Sequence, residues 1–103
     1  MPGPTTPAEA LIWIREAVST GRYYTHEPHF SRRCMQRRVQ IDDWKQAIAK
    51  ARQCQPHSDR APSQDGTNWR ITGPDVDGDD LTVGVEAFTD HLGKRVLLIT
   101  VFG

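Results

Sequence analysis

Residues 95–102 read Arg-Val-Leu-Leu-Ile-Thr-Val-Phe, and this stretch decides the fold class. The run is almost wholly apolar and rich in β-branched side chains, which is typical of a central strand buried on both faces. Every second side chain in residues 81–88, starting at Leu81, is aliphatic, which predicts a strand with one buried face. Residues 89–94 connect these strands, and residues 68–72 predict a third, shorter one. The C-terminal half therefore predicts an antiparallel three-stranded meander.

The N-terminal half carries helical signals instead. Thr6 can cap a first helix that begins at Pro7 and stops at Gly21. The apolar periodicity predicts a second helix over about residues 28–38 and a third over about residues 41–53. We therefore expect an α+β fold, with N-terminal helices packed on one face of a C-terminal antiparallel three-stranded meander.

The length of 103 residues fits one domain with a modest core, and we expect a flexible tail at residues 1–5. The first residues lack the basic and apolar regions of a signal peptide, and no apolar run reaches the roughly 18 residues of a membrane span. Cys34 and Cys54 do not make a disulfide framework. We expect free thiols, a cytoplasmic location and no membrane contact.

The charge is unevenly distributed along the chain, although the net charge is zero. Residues 1–60 carry ten Lys/Arg and six Asp/Glu, whereas residues 61–103 carry three and seven. This asymmetry indicates a basic face that attracts an anionic partner, or else a dipolar surface without a ligand.

The basic residues are densest in residues 22–38, which contain five arginines. His29, Arg33 and Arg37 follow one another at i, i+4 and i+8, so they share one side of a helix. Two guanidiniums can hold a phosphodiester, and an imidazole can move a proton near neutral pH. The alternative is a solvated helix face whose arginines pair with Asp42, Asp43 or the acidic turn at residues 75–80.

Other aromatic and basic side chains are candidates for nucleic-acid contact: Tyr23, Tyr24, His26, Arg32, Arg38 and Arg70. Aromatic rings beside cations suit base stacking and phosphate binding. Alternatively, one tyrosine packs on the core and the other covers the sheet edge. Arg70 either projects toward the same groove or pairs with Glu86 across the sheet.

Imidazoles and thiols, the side chains that bind zinc, recur at short spacings in His26, His29, Cys34, Cys54 and His57. These spacings match no common zinc pattern, and one cysteine lies on the apolar stripe of the second helix. We therefore expect no metal and no cofactor.

The pattern H-x3-R-x3-R-x-(I/V), present here as His29, Arg33, Arg37 and Val39, resembles that of the domain of unknown function 4258 family. The order of elements over residues 11–103 is also similar. The resemblance implies a RelE-like fold, related to the RelE-type and BrnT-type toxins that cleave messenger RNA. It also implies an antitoxin as a partner.

The leading hypothesis is a metal-independent ribonuclease. His29 would serve as acid or base for attack by the RNA 2′-hydroxyl, and Arg33 and Arg37 would hold the scissile phosphate. The alternative is a non-catalytic binding module that uses the same stripe for an acidic protein or a nucleic acid. A third hypothesis is a toxin-like fold retained for a structural or regulatory role.

Overall fold

Three helices and five strands make up residues 3–102, which the computed structural model describes. In chain order they are α1 (Pro7–Ser19), β1 (Tyr23–Thr25), α2 (His29–Gln36), α3 (Ile41–Ala49), β2 (Gln53–Pro56), β3 (Thr67–Pro74), β4 (Asp80–Asp90) and β5 (Gly93–Phe102). The sheet order is β1-β5-β4-β3-β2, with β1 parallel to β5 and the other neighbours antiparallel. The α+β class is confirmed.

The sheet is larger than the predicted three-stranded meander. Strands β3, β4 and β5 are consecutive antiparallel neighbours, as expected, but β1 and β2 extend the sheet at its two edges. β2 lies between α3 and β3, where the sequence predicts no strand. β1 coincides with residues 23–25, whose sequence indicates a short extended link or strand. β2 has only four residues, which is too short for alternation to reveal it. The parallel pairing of β1 with β5 also makes the sheet mixed.

Local signals set the helix boundaries. The hydroxyl of Thr6 accepts a hydrogen bond from the Glu9 N–H over 3.2 Å, which confirms the predicted start of α1. α2 ends at Gln36, before the expected position, because Arg38 adopts a left-handed backbone with φ of 56°. α3 ends at Ala49, and the guanidinium of Arg15 donates to carbonyl groups at this end of the helix.

The main core lies between the helices and one face of the sheet. The predicted alternation in β4 is confirmed on this face, where Val83, Val85 and Ala87 are fully buried. α3 approaches β3 closely at Gly73, where a Cβ atom would lie 2.0 Å from the carbonyl oxygen of Ala47. The glycine therefore allows backbone-to-backbone packing of a helix on the sheet.

The second face of the sheet is covered in part. The sequence predicts one buried face for β4, but both of its faces are buried over residues 84–88. The cover is the connection at residues 57–66, which we call the strap. Glu86 is fully buried beneath it, and its carboxylate accepts from the N–H groups of Gln64 and Gly66 and from both the N–H and hydroxyl of Ser63. The carboxylate thus ties the strap to the sheet.

Part of the flexible tail expected at residues 1–5 lies outside the described residues, as does Gly103. Gly3 and Pro4 are buried, and the Pro4 carbonyl accepts a hydrogen bond from the Thr67 hydroxyl over 2.7 Å. No described helix combines the length and the apolar character needed to cross a membrane.

Candidate nucleic-acid interface

Helix α2 presents an apolar side to the core and a basic side to solvent. Phe30 is 3% exposed and packs edge-on against Trp44, with ring centroids 5.8 Å apart. On the other side, His29 is exposed at the first helical position and Arg33 is half-buried one turn later. Arg37 caps the helix and is exposed. The structure therefore brings the three predicted residues to one accessible helix surface, with Arg37 just beyond the last helical turn.

The five arginines of residues 22–38 have no carboxylate partner within residues 3–102. Ion pairs there use Arg52, Arg70 and Arg95, and the His57 imidazole lies 3.4 Å from the Asp59 carboxylate. Among the described residues, the Arg33 guanidinium hydrogen-bonds only to an amide, with its Nη1 atom 3.4 Å from the Gln36 side-chain oxygen. The guanidiniums of α2 thus remain available to an external anion.

Two of the carboxylates near α2 in the predicted alternative bind other groups. Asp43 accepts the backbone N–H of Gln40 over 2.9 Å and that of Val76 over 3.2 Å. Asp80, in the acidic turn, pairs with Arg52 at 3.1 Å. Within residues 3–102, the ion pairs that would neutralise the arginines of α2 are therefore absent.

Glu27 is the one acidic residue among residues 22–38. Its carboxylate accepts hydrogen bonds from the side chain and the N–H of Ser31 and from the Thr25 hydroxyl. The side-chain bond from Ser31, followed by its N–H, holds the pKa of Glu27 below its usual value, and the charge of His26 adds to this. Glu27 is therefore ionised at neutral pH and offsets part of the local positive charge.

The residues before α2 divide between the two sheet faces. Tyr23 faces the helices, where it meets Trp44 edge-on at 5.4 Å, so one tyrosine belongs to the core. Tyr24 faces the opposite side and is 50% exposed. The N–H of His26 donates to the Leu98 carbonyl over 2.8 Å, so the extended backbone continues and its alternation places His26 on the side of Tyr24.

The imidazoles of His26 and His29 lie close together, with ring centroids 6.1 Å apart. Because Arg33 lies one turn from His29, these three side chains form a continuous patch. We call His26, His29, Arg33 and Arg37 the histidine–arginine surface. Tyr24 adjoins it on the sheet. Arg32 is exposed on α2, but it lies on the side of His29 away from Arg33.

Two other arginines of the segment lie at its margins. Arg38 is exposed at the turn after α2. Arg22 is exposed immediately before β1, two residues from Tyr24, and had not been selected as a site residue. Strand alternation around Tyr24 was the signal that would have identified Arg22, but a three-residue strand is difficult to recognise.

Arg70 is not brought to this surface. It lies on β3, three strands from β1, which corresponds to roughly 14 Å across the sheet. Its guanidinium covers the Phe102 ring at 4.8 Å and pairs with Asp59 of the strap at 2.9 Å. Arg70 does not pair with Glu86 across the sheet either, because the strap occupies that carboxylate.

The five candidate metal ligands are distributed along the fold. His26 precedes α2, and His29 and Cys34 lie within it. Cys54 lies on β2 and His57 follows it, at the opposite edge of the sheet. Burial raises the pKa of the Cys54 thiol to about 11, and burial, followed by the charge of Glu27, raises that of Cys34. Within residues 3–102, no three histidine, cysteine or carboxylate side chains converge as a metal site requires.

No family model, curated protein or solved structure gives a significant match to this chain. The resemblance to the domain of unknown function 4258 family therefore depends on the motif residues and the order of elements alone.

Proposed function

We propose that the histidine–arginine surface binds RNA through its phosphates. The proposal rests on one observation: a cluster of arginines on α2 that is accessible and has no carboxylate partner in the described part of the chain. Guanidiniums match phosphate oxygens in bidentate geometry, and several such contacts release counterions from the nucleic acid. A polyanion therefore suits this surface better than a neutral ligand.

Metal-independent cleavage of the bound RNA is a second candidate function. The pair of imidazoles favours cleavage, because the ring centroids of His26 and His29 lie 6.1 Å apart and Arg33 is one helical turn away. That separation allows a phosphodiester to sit between them, with about 3 Å from each imidazole nitrogen to a reacting oxygen. Arg33 would stabilise the charge that develops on the phosphoryl oxygens.

The cleavage step is a transesterification. One imidazole accepts the proton of the 2′-hydroxyl as its oxygen bonds to phosphorus, and the other imidazolium donates a proton to the departing 5′-oxygen. The products are a 2′,3′-cyclic phosphate and a 5′-hydroxyl, and no metal or cofactor takes part.

RNA binding is the first candidate function and cleavage the second, because the two histidine side chains are not held in place. Within residues 3–102, the side chains of His26 and His29 are both exposed, and neither makes a hydrogen bond that would orient its ring. Efficient acid–base catalysis requires side chains held by their neighbours. RNA itself would have to order the imidazoles.

The binding proposal is tested by fluorescence anisotropy with a short labelled single-stranded RNA. Arg33→Ala and Arg37→Ala should each weaken the complex, because each removes a phosphate contact. Arg52→Ala is the matched control, since it removes an exposed arginine from a different region of the fold. Equal affinities for the wild type and all three variants would exclude this surface.

Cleavage is tested on the same RNA by gel electrophoresis. A ribonuclease yields fragments from RNA but not from the 2′-deoxy analogue, and His29→Ala abolishes cleavage while binding persists. A binding module yields no fragments even with the wild type.

A further inference from the structure

An aromatic groove lies on the sheet face opposite the helices, beside the histidine–arginine surface. Its lining residues are Tyr24, Gln64, Phe88, Asp90, His91 and Leu97. Phe88 and Leu97 are 5% and 7% exposed, whereas Tyr24 is 50% exposed. The rings of Tyr24 and Phe88 lie 6.3 Å apart at an angle of 25°. A half-exposed ring thus stands beside a buried apolar floor, with polar groups at the rim.

One long hydrogen bond links the Tyr24 ring to Asp90 at the rim of the groove. The Tyr24 hydroxyl donates to the Asp90 carboxylate over 3.4 Å, and the same carboxylate oxygen lies 3.3 Å from Arg95 Nε. The Leu92 N–H donates to the other oxygen over 2.8 Å. The Leu92 bond first, and then the charges of Arg95 and His91, keep the pKa of Asp90 below its usual value. The ionised carboxylate therefore offers an acceptor to the Tyr24 hydroxyl, and the ring also stacks against Phe88.

We propose that this groove binds one nucleobase, stacked on Tyr24, while the RNA backbone lies on the histidine–arginine surface; this inference rests on the RNA-binding function proposed above. A nucleobase is a flat π system with polar edges, so it suits an aromatic face with a few polar groups beside it. The Gln64 amide at the rim supplies both a donor and an acceptor for a base edge.

The position of the groove supports this occupant. Tyr24 and His26 lie on the same sheet face with one residue between them, and His26 is the first member of the histidine–arginine surface. A base in the groove therefore places its own backbone beside the imidazoles. Because the base must leave its stack to enter, the protein should prefer single-stranded RNA to a duplex.

Adenosine, which carries a base but no phosphate, tests the groove alone. We expect titration to shift the backbone amide resonances of Gln64, His91 and Leu97 in the wild type. Tyr24→Phe should retain these shifts, whereas Tyr24→Ala should lose them. Ile12→Ala is the matched control, because it removes an apolar side chain that is 67% exposed on α1.

Two results would overturn the nucleobase site. One is the absence of adenosine-dependent shifts at the groove, or shifts that Tyr24→Ala leaves unchanged. The other is a set of shifts that depends on protein concentration and not on adenosine, which would assign the groove to a second copy of the chain.

Single-stranded RNA and inorganic polyphosphate separate this inference from the proposed function. Tyr24→Ala should weaken RNA binding by roughly fivefold to a hundredfold and leave polyphosphate binding unchanged. Unchanged RNA affinity would refute the nucleobase site while the phosphate surface stands. If neither polyanion binds but adenosine does, the RNA-binding function fails and the groove is retained as a nucleoside site.

Discussion

Replacing Arg38 with glycine should stabilise this protein, although it removes a candidate RNA contact. Arg38 has φ of 56°, immediately after the cap of α2. Its N–H donates to the Met35 carbonyl over 3.2 Å, and the Val39 N–H donates to the Cys34 carbonyl over 2.8 Å. These two bonds are those of a Schellman motif, in which the left-handed residue is usually glycine.

The expected magnitude follows from two opposing terms. A side chain with a Cβ costs roughly 1–2 kcal/mol in the left-handed region. Glycine loses more conformational entropy on folding, which lowers the gain in stability by about 0.5–1 kcal/mol. The net stabilisation should be about 0.5–1 kcal/mol, or a rise in Tm of a few degrees in a chain of this size.

The comparison with alanine isolates the backbone effect. Arg38→Ala removes the same charge but keeps the Cβ, so Arg38→Gly should be the more stable variant. At Arg37, where φ is −98°, the order should reverse, with alanine more stable than glycine. Urea unfolding of the four variants measures both differences, and the same order at both positions would refute the reasoning.

Three further predictions concern the sheet and its contacts. Glu86→Gln replaces a buried charge-assisted acceptor, so it should cost about 2–3 kcal/mol in urea unfolding and expose residues 57–66 to limited proteolysis. Gly73→Ala should destabilise by at least about 1–3 kcal/mol in the same assay, because the new Cβ would overlap the carbonyl of Ala47. Burial raises the pKa of Cys54 to about 11, so the unfolded chain binds fewer protons than the folded one from about pH 9 upward, and stability should fall as the pH rises toward 11. Unfolding at several pH values should show this loss in the wild type and a smaller one in Cys54→Ala.

Each of these has a contradicting result. A fully protected strap in Glu86→Gln would show that the carboxylate does not hold it. Wild-type stability of Gly73→Ala would mean that α3 does not pack backbone-to-backbone on β3. An equal alkaline loss of stability with and without the Cys54 thiol would exclude that group as its source.

Local patterns predicted the parts of this fold that local physics determines. The aliphatic alternation from Leu81 and the apolar run at residues 95–102 both lie in long strands beside each other in the sheet, where burial imposes a period. The cap at Thr6 is likewise a contact between near neighbours in the chain. These features depend on few residues and on standard geometry.

Long-range contacts could not be predicted in the same way. β1 is a strand only because β5 lies beside it, and three residues carry no period of their own. Glu86 resembles a solvent-facing strand residue in the sequence, yet the strap, more than twenty positions earlier at Ser63, buries it. Its role depends on a contact that no spacing encodes.

The candidate site shows the same division. Helical spacing alone predicted that His29 and Arg33 share a surface, and the structure places them on one helix side. The strand that precedes α2 determines the remaining positions. It places His26 beside His29, Tyr23 in the core and Tyr24 in an exposed position. Whether this surface acts on RNA stays a prediction.

The salt dependence of RNA affinity is the most direct test of that prediction. Each phosphate contact with a single strand contributes about −0.7 to the slope of log K against log salt concentration. The wild type should therefore show a clearly negative slope, and the double variant Arg33→Ala, Arg37→Ala should lose roughly 1.4 from its magnitude. A flat slope in the wild type, or the same slope in the double variant, would contradict phosphate binding by α2.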